Sequence, residues 1–314
     1  ASSAEFFRQF NSPTAILARF SPSERILIAG ENLDIEWWIS AFDAEPIRGQ
    51  RFTWRLRQGD RTLDSGELPP VDAKPGDVRT LGHSNLTAPD VTKPVKLTLT
   101  ADLPGTAVRN SWEVWVCPRR VITPDAGKRI GASPRVYAAL KNRYPGLTEI
   151  GTAAEEEPDL LMADRLDRTV VQALEGGKTV ILLRLPGTAP GVKLGWWGIG
   201  KQAGTAVARH PAFGGLPHDG HLNELLFRLL GQTVNPNDEA LHQIEPLMVG
   251  RGSDGYLIHV FQARCGKGKL LASGLKLLLE YPEAAYLLDQ FVRYARSPGF
   301  QPQGTFDAKN PGAA

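Results

Sequence analysis

The sequence is poor in the features that most readily assign a function to a chain of 314 residues. It has only two cysteines, Cys117 and Cys265, and they lie far apart. Neither stands in a zinc-ligand spacing or a nucleophile elbow, so they read as two separate buried thiols and do not define a redox compartment. No apolar run reaches the ~18–20 residues that cross a bilayer as a helix. The first ten residues are polar and amphipathic, without the apolar core of a signal peptide. A dominant charge is also missing: 36 Lys plus Arg stand against 34 Asp plus Glu, a net charge of +2, with no basic block. A surface built to neutralise nucleic-acid phosphates is therefore not expected. No internal repeat is present. What is there, 42% hydrophobic and 22% charged residues, is the composition of a chain with a real core, long enough for two domains.

Residues 1 to about 120 read as all-β. Leu33–Ser40 alternates apolar and polar residues up to Trp37-Trp38, which predicts one tryptophan in a core and the other at an edge or interface. Phe52, Trp54 and Leu56 share one strand face, as do Trp112, Val114 and Val116. Val95–Leu103 alternates in the same way, and Pro69, Pro70, Pro75 and Gly76 are read as chain breaks. Short strands spaced by turn signals argue for an antiparallel sandwich. Pro118 cannot donate to a ladder and ends this pattern, so the domain boundary is placed there.

Beyond it the period changes. Ser133-Pro134 opens a helix, and the next helix, after Asp167, ends at Gly176-Gly177. Leu160–Ala163 and Thr179–Leu185 are short continuous apolar runs, the mark of strands buried on both faces, and with the helix between them they form a βαβ unit. Three more strands are expected over 245–250, 256–264 and 268–277, the last two joined by a hairpin at Cys265–Gly268. A final helix begins at Pro282, and residues 301–314 read as a flexible tail. The stretch richest in chemistry is His210–His221, a turn-rich loop carrying three of the six histidines. Leu222, Leu225, Leu226, Leu229 and Leu230 follow at helical spacing, with Asp219 as the expected cap and Gly231 as the stop.

Five segments together resemble a known family. They are Asn110-Ser-Trp-Glu-Val-Trp-Val-Cys-Pro, Leu174-Glu-Gly-Gly-Lys-Thr-Val-Ile-Leu-Leu, His210-Pro-Ala-Phe-Gly-Gly-Leu-Pro, Ala263-Arg-Cys-Gly-Lys-Gly-Lys-Leu-Leu and Tyr281-Pro-Glu-Ala-Ala-Tyr-Leu-Leu. Their order is similar to that of the region following the catalytic barrel in bacterial, β-galactosidase-like family 2 glycoside hydrolases. The resemblance implies an immunoglobulin-like β-sandwich over residues 1–118. It implies an α/β three-layer domain over 119–300, flavodoxin-like and related in fold to class I glutamine amidotransferases without their chemistry. It further implies a preceding catalytic barrel or another subunit as partner, and a periplasmic or extracellular location. This chain departs from the family where Asn223-Glu-Leu-Leu-Phe replaces a tryptophan-bearing helix and where Gly195-Trp-Trp-Gly replaces a Phe-Trp pair.

The residues support no catalytic set of their own. Asn223-Glu224 is on a predicted helix face rather than a barrel strand, and Glu155-Glu156-Glu157 reads as a solvated run. Strand 179–185 ends in Arg184-Leu-Pro-Gly, without the nucleophile of an amidotransferase elbow. Cys265 lies in a hairpin beside Lys267 and Lys269, outside any elbow context. His210, His218, His221 and Asp219 carry suitable donors but match no zinc spacing, so no metal and no cofactor is expected. The function expected is therefore a non-catalytic accessory region. The alternative is a carbohydrate-binding module in which Trp196 and Trp197 stack on sugar rings while His210, His218, Asp219 and His221 supply polar contacts.

Overall fold

In the computed structural model, residues 3–20, 25–119, 129–151, 158–185, 204–236, 241–251 and 255–308 are described. The chain divides into two compact units, Ala1–Arg119 and Arg120–Ala314. Among the described residues, strand residues far outnumber helical ones.

The first unit opens with helix α1 (Ala4–Asn11), which the all-β reading did not include. Eight strands follow: β1 (Thr14–Arg19), β2 (Ile26–Ile28), β3 (Asn32–Ala41), β4 (Ile47–Gln58), β5 (Arg61–Ala73), β6 (Asp77–Thr87), β7 (Val95–Asp102) and β8 (Arg109–Cys117). They form two sheets, of order β1-β3-β6 and β2-β8-β7-β4-β5. Ile16, Ile35, Trp37 and Ile39 from the first sheet share one core with Phe52, Leu56, Leu97, Leu99 and Val114 from the second. Trp37 is fully buried, its Nε1 donating to Ser84 Oγ at 2.7 Å, with its ring edge-on to Phe52 and Trp112. Trp38 is on the opposite strand face and half-buried.

The break expected at Pro69-Pro70 does not occur. Both prolines lie inside β5, an edge strand paired only with β4, and the register there skips between Gln50 and Phe52. A strand with one free edge tolerates missing donors, and an irregularity absorbs the rest. Pro75-Gly76 does turn the chain, with Gly76 at φ +93°.

The second unit is built on one eight-stranded sheet. Its strands are β9 (Ile130–Ala132), β10 (Leu147–Glu149), β11 (Leu160–Ala163), β12 (Thr179–Leu182), β13 (Ala206–Val207), β14 (Glu245–Arg251), β15 (Tyr256–Cys265) and β16 (Gly268–Ser273). The spatial order is β10-β9-β11-β12-β16-β15-β14-β13. The first five run parallel and the last three are added antiparallel. Helix α2 (Pro134–Leu140) connects β9 to β10, and α3 (Arg168–Glu175) connects β11 to β12. Asp167 caps α3 by accepting from the Val170 amide at 3.0 Å. The C-terminal helix, Pro282–Arg296, buries Ala284, Leu287, Leu288, Phe291 and Val292.

Two expectations are corrected here. The helix read over 222–230 is only Glu224–Phe227, and its cap is Asn223, which accepts from Leu226 N at 3.2 Å, rather than Asp219. The helix stops because the next backbone groups are taken by other partners: Lys276 N donates to Leu229 O and Gln232 N to Gly274 O, both at 2.8 Å. The tail expected from residue 301 is packed as far as it is described. Arg264 N donates to Gly304 O, Phe306 N donates to Arg264 O, and Phe306 is buried in the core. Buried Phe306 and Pro302, with backbone bonds to Arg264, hold this Pro/Gly/Gln-rich segment on a strand edge.

Candidate functional site

The histidine loop is fastened to the C-terminal helix. Phe213 is 1% exposed and packs edge-on to Phe291 at 6.0 Å, and Tyr286 Oη donates to Gly214 O at 3.1 Å. The turns need Gly215 and Gly220, whose φ values of +74° and +87° lie in the left-handed region.

Within this loop each imidazole is used locally. His210 Nδ1 accepts from the Ala212 amide at 3.2 Å, capping the short 3₁₀ turn Pro211–Phe213. That contact leaves the proton on Nε2, which lies 3.3 Å from Tyr294 Oη. Tyr294 donates to Gln262 Oε1 at 2.8 Å, Gln262 donates to Glu245 Oε2 at 2.6 Å, and Gln303 N donates to Glu245 Oε1 at 2.8 Å. Four residues thus form a hydrogen-bond chain running from His210 to Glu245, and Gln303 donates into the same carboxylate from the other side. His218 Nδ1 accepts from Gly220 N at 3.3 Å, and His221 Nδ1 is 3.2 Å from Asp219 O. Burial lowers the pKa of His210, and burial likewise lowers that of His218. Among the described residues no group of three or more His, Cys, Asp or Glu side chains converges as a metal site. The structure pairs His210 with Tyr294, while Asp219 and His221 stay exposed. Trp196 and Trp197 lie outside the described residues.

Cys265 is 2% exposed, and burial pushes its thiol up to about 12, so it is protonated at neutral pH. It lines a cavity of about 520 Å³ at the hairpin corner, with Leu174, Glu175, Gly266, Phe306 and Asp307.

Two polar groupings were not legible in the sequence. Ser133 holds the cap position of α2 but does not cap it; its Oγ donates to Asp164 Oδ1 at 2.7 Å, and Asp164 N donates back to Ser133 Oγ at 3.3 Å. Both are buried. They follow β9 and β11, neighbouring parallel strands from which the chain departs to opposite sides, the place where open α/β sheets take ligands. Here the two side chains bond each other across the strand ends. The second grouping is His259, the extra residue of a bulge where Met248 and Val249 face Val260 and Ile258. It is fully buried, neither ring nitrogen has a partner among the described residues, and burial lowers its pKa to about 4. Thr205 Oγ1 is likewise buried and unpartnered. A Cβ on Gly250 would lie 2.9 Å from that oxygen and 3.5 Å from His259 Nε2. Only glycine leaves room between them.

Two family models match the chain. Residues 31–118 match a domain of unknown function (DUF8488), and residues 161–311 match a domain of unknown function (DUF8487). No curated protein matches. Solved structures with partial likeness include an alkylpurine DNA glycosylase from Pseudomonas fluorescens bound to DNA with an abasic-site analogue. It is 12% identical over 36% of this chain and 35% of that one, with a TM-score of 0.26. A β-glucosidase from Listeria innocua in complex with glucose is 15% identical over 33% of this chain and 16% of that one, with a TM-score of 0.24. The sporulation control protein Spo0M from Bacillus subtilis is 16% identical over 41% and 54%, with a TM-score of 0.24. The chain spans well under two thirds of each. What it is similar to by family model is thus a pair of domains without an assigned function, one in each unit.

Proposed function

We propose that this chain is a non-catalytic accessory region of a family 2 glycoside hydrolase, supporting carbohydrate degradation by packing against a catalytic barrel or another subunit. In this reading the first unit is an immunoglobulin-like sandwich. The second is a flavodoxin-like unit, a reading supported by five parallel strands in the order 2-1-3-4-5. One observation carries the proposal: among the described residues, the loop and strand-end side chains best suited to chemistry are engaged in structural hydrogen bonds. His210 spends one ring nitrogen on its own loop and presents the other to Tyr294, while Ser133 and Asp164 bond each other at the strand ends.

The test is a hydrolysis panel of galactosides and plant oligosaccharides, run beside calorimetry with the same sugars. The accessory reading expects neither turnover nor heat. Turnover abolished by His210→Ala in a folded protein would replace it with an enzyme. Heat lost in Trp196→Ala would replace it with a carbohydrate-binding module.

A further inference from the structure

Helix α1 is built the wrong way round. Phe6, Phe7 and Phe10 occupy one stripe of its surface, and Glu5 and Gln9 occupy another. An amphipathic helix on a globular unit ordinarily turns the aromatic stripe inward. Here Glu5 pairs with Arg109 and Gln9 Oε1 accepts from Ser111 Oγ at 2.8 Å, so the polar stripe lies against β8. The phenylalanines point away, 46%, 53% and 49% exposed, with both Phe6 and Phe7 packed against Phe10 at 5.5 Å between ring centres. None of the helix's residues is buried.

Such a helix has little to hold it. Eight residues are too few for a stable helix in water, and an exposed ion pair adds only ~0–1 kcal/mol. The surface continues beyond it. Phe42 is 61% exposed, and its amide donates to Pro13 O just past the helix end. Leu17 of β1, beside Trp38 of β3 in register, is 39% exposed. Six of the eight large hydrophobic side chains exposed among the described residues belong to this unit.

We propose that α1 and the adjoining Phe42 form a self-association surface, occupied by the same surface of a second copy of this chain. The area fits. Four half-exposed phenylalanines at ~200 Å² each leave about 400 Å² of apolar surface per copy. Two copies face to face remove about 800 Å², roughly two thirds of the smallest stable interfaces at ~1,200 Å² and close to the apolar share of homodimer contacts. The charges fit as well. Glu5 is already neutralised by Arg109, which leaves Arg8 as the remaining charge within α1, so two copies meet with little repulsion and an anionic lipid or nucleic-acid surface finds only one cation on the helix. The role of the dimer as an assembly contact rests on the accessory reading; the association itself does not.

The experiment is sedimentation velocity on the full chain from submicromolar to hundred-micromolar concentration. Wild type is expected to dimerise reversibly, and Phe6→Ser/Phe10→Ser to weaken the dimer at least ~tenfold with unchanged circular dichroism. Leu279→Ser, at an exposed apolar site of the other unit, is expected to leave it intact. Should the double variant unfold, Phe7→Ser alone carries the same expectation. A single-chain mass at every concentration overturns the proposal, as does a dimer indifferent to the phenylalanines or equally sensitive to Leu279→Ser. Phenylalanine-dependent sedimentation with phosphatidylcholine vesicles would make lipid the occupant and overturn it too. The two claims fail separately: mass decides the surface, and the sugar panel decides the accessory reading.

Discussion

Two amphipathic helices in this chain have opposite fates. The C-terminal helix buries eight of its fifteen residues and clamps the histidine loop; α1 buries none and shows its rings to solvent. Their sequences differ less than their environments do. An apolar stripe says that a helix needs a cover, and leaves open whether the same chain supplies it. The same contrast runs through the units. The first holds most of the exposed large hydrophobics, while the second encloses Ser133, Asp164, Thr205, His259, Gln262, Ser273 and Glu283. One unit keeps apolar surface available, and the other spends polar groups on its own rigidity.

The largest effect that would sharpen this contrast is at the start of the C-terminal helix. Arg228 forks onto Glu283, which is fully buried, and stacks over Tyr281 at 4.2 Å. Arg228→Met strands that carboxylate, and denaturant melts should show a loss of ~3–5 kcal/mol. A loss under ~1 kcal/mol would mean the helix is not the fixed end of the comparison.

Acid comes next. His259 is neutral in the fold, with its pKa pushed down to about 4 against an ordinary 6.5, and burial is the cause. Above pH 6.5 neither state is protonated there. As the pH falls below that, the unfolded chain gains a proton that the folded chain refuses. Stability should therefore drop between about pH 6.5 and 4 and level off below, by roughly 3 kcal/mol in total. Urea melts across that range should lose this component in His259→Leu. Tyr294→Phe leaves Gln262 Oε1 without its donor and is expected to cost ~1–2 kcal/mol by the same melts. Asn223→Ala removes a helix cap at ~1 kcal/mol. At the other pole, Phe6→Ser should change monomer stability by no more than ~0.5 kcal/mol, because the ring is half exposed and its neighbour Phe10 belongs to the same exposed stripe.

The buried parallel strands were legible because Leu160–Ala163 and Thr179–Leu182 are unbroken apolar runs, and the hairpin was legible from Cys265–Gly268. Strand β6 was not, since a sheet-edge strand with one buried residue shows almost no alternation. Of the candidate site, the loop and its glycines could be read, but the partners could not. His210 meets Tyr294 across 84 residues, and Ser133 meets Asp164 across 31. A cap serine that serves another strand looks, in sequence, like any other cap. His259 was hidden for a similar reason: a bulge is a property of two strands' register, and no pattern within Tyr256–Cys265 announces it.

The sharpest single measurement is amide hydrogen exchange over residues 4–11 as a function of protein concentration, with the C-terminal helix as internal reference. The account predicts that α1 exchanges freely in dilute solution and gains protection as concentration rises, while Pro282–Arg296 is protected throughout. Protection of α1 that is unchanged by dilution, or absent at every concentration, would contradict it.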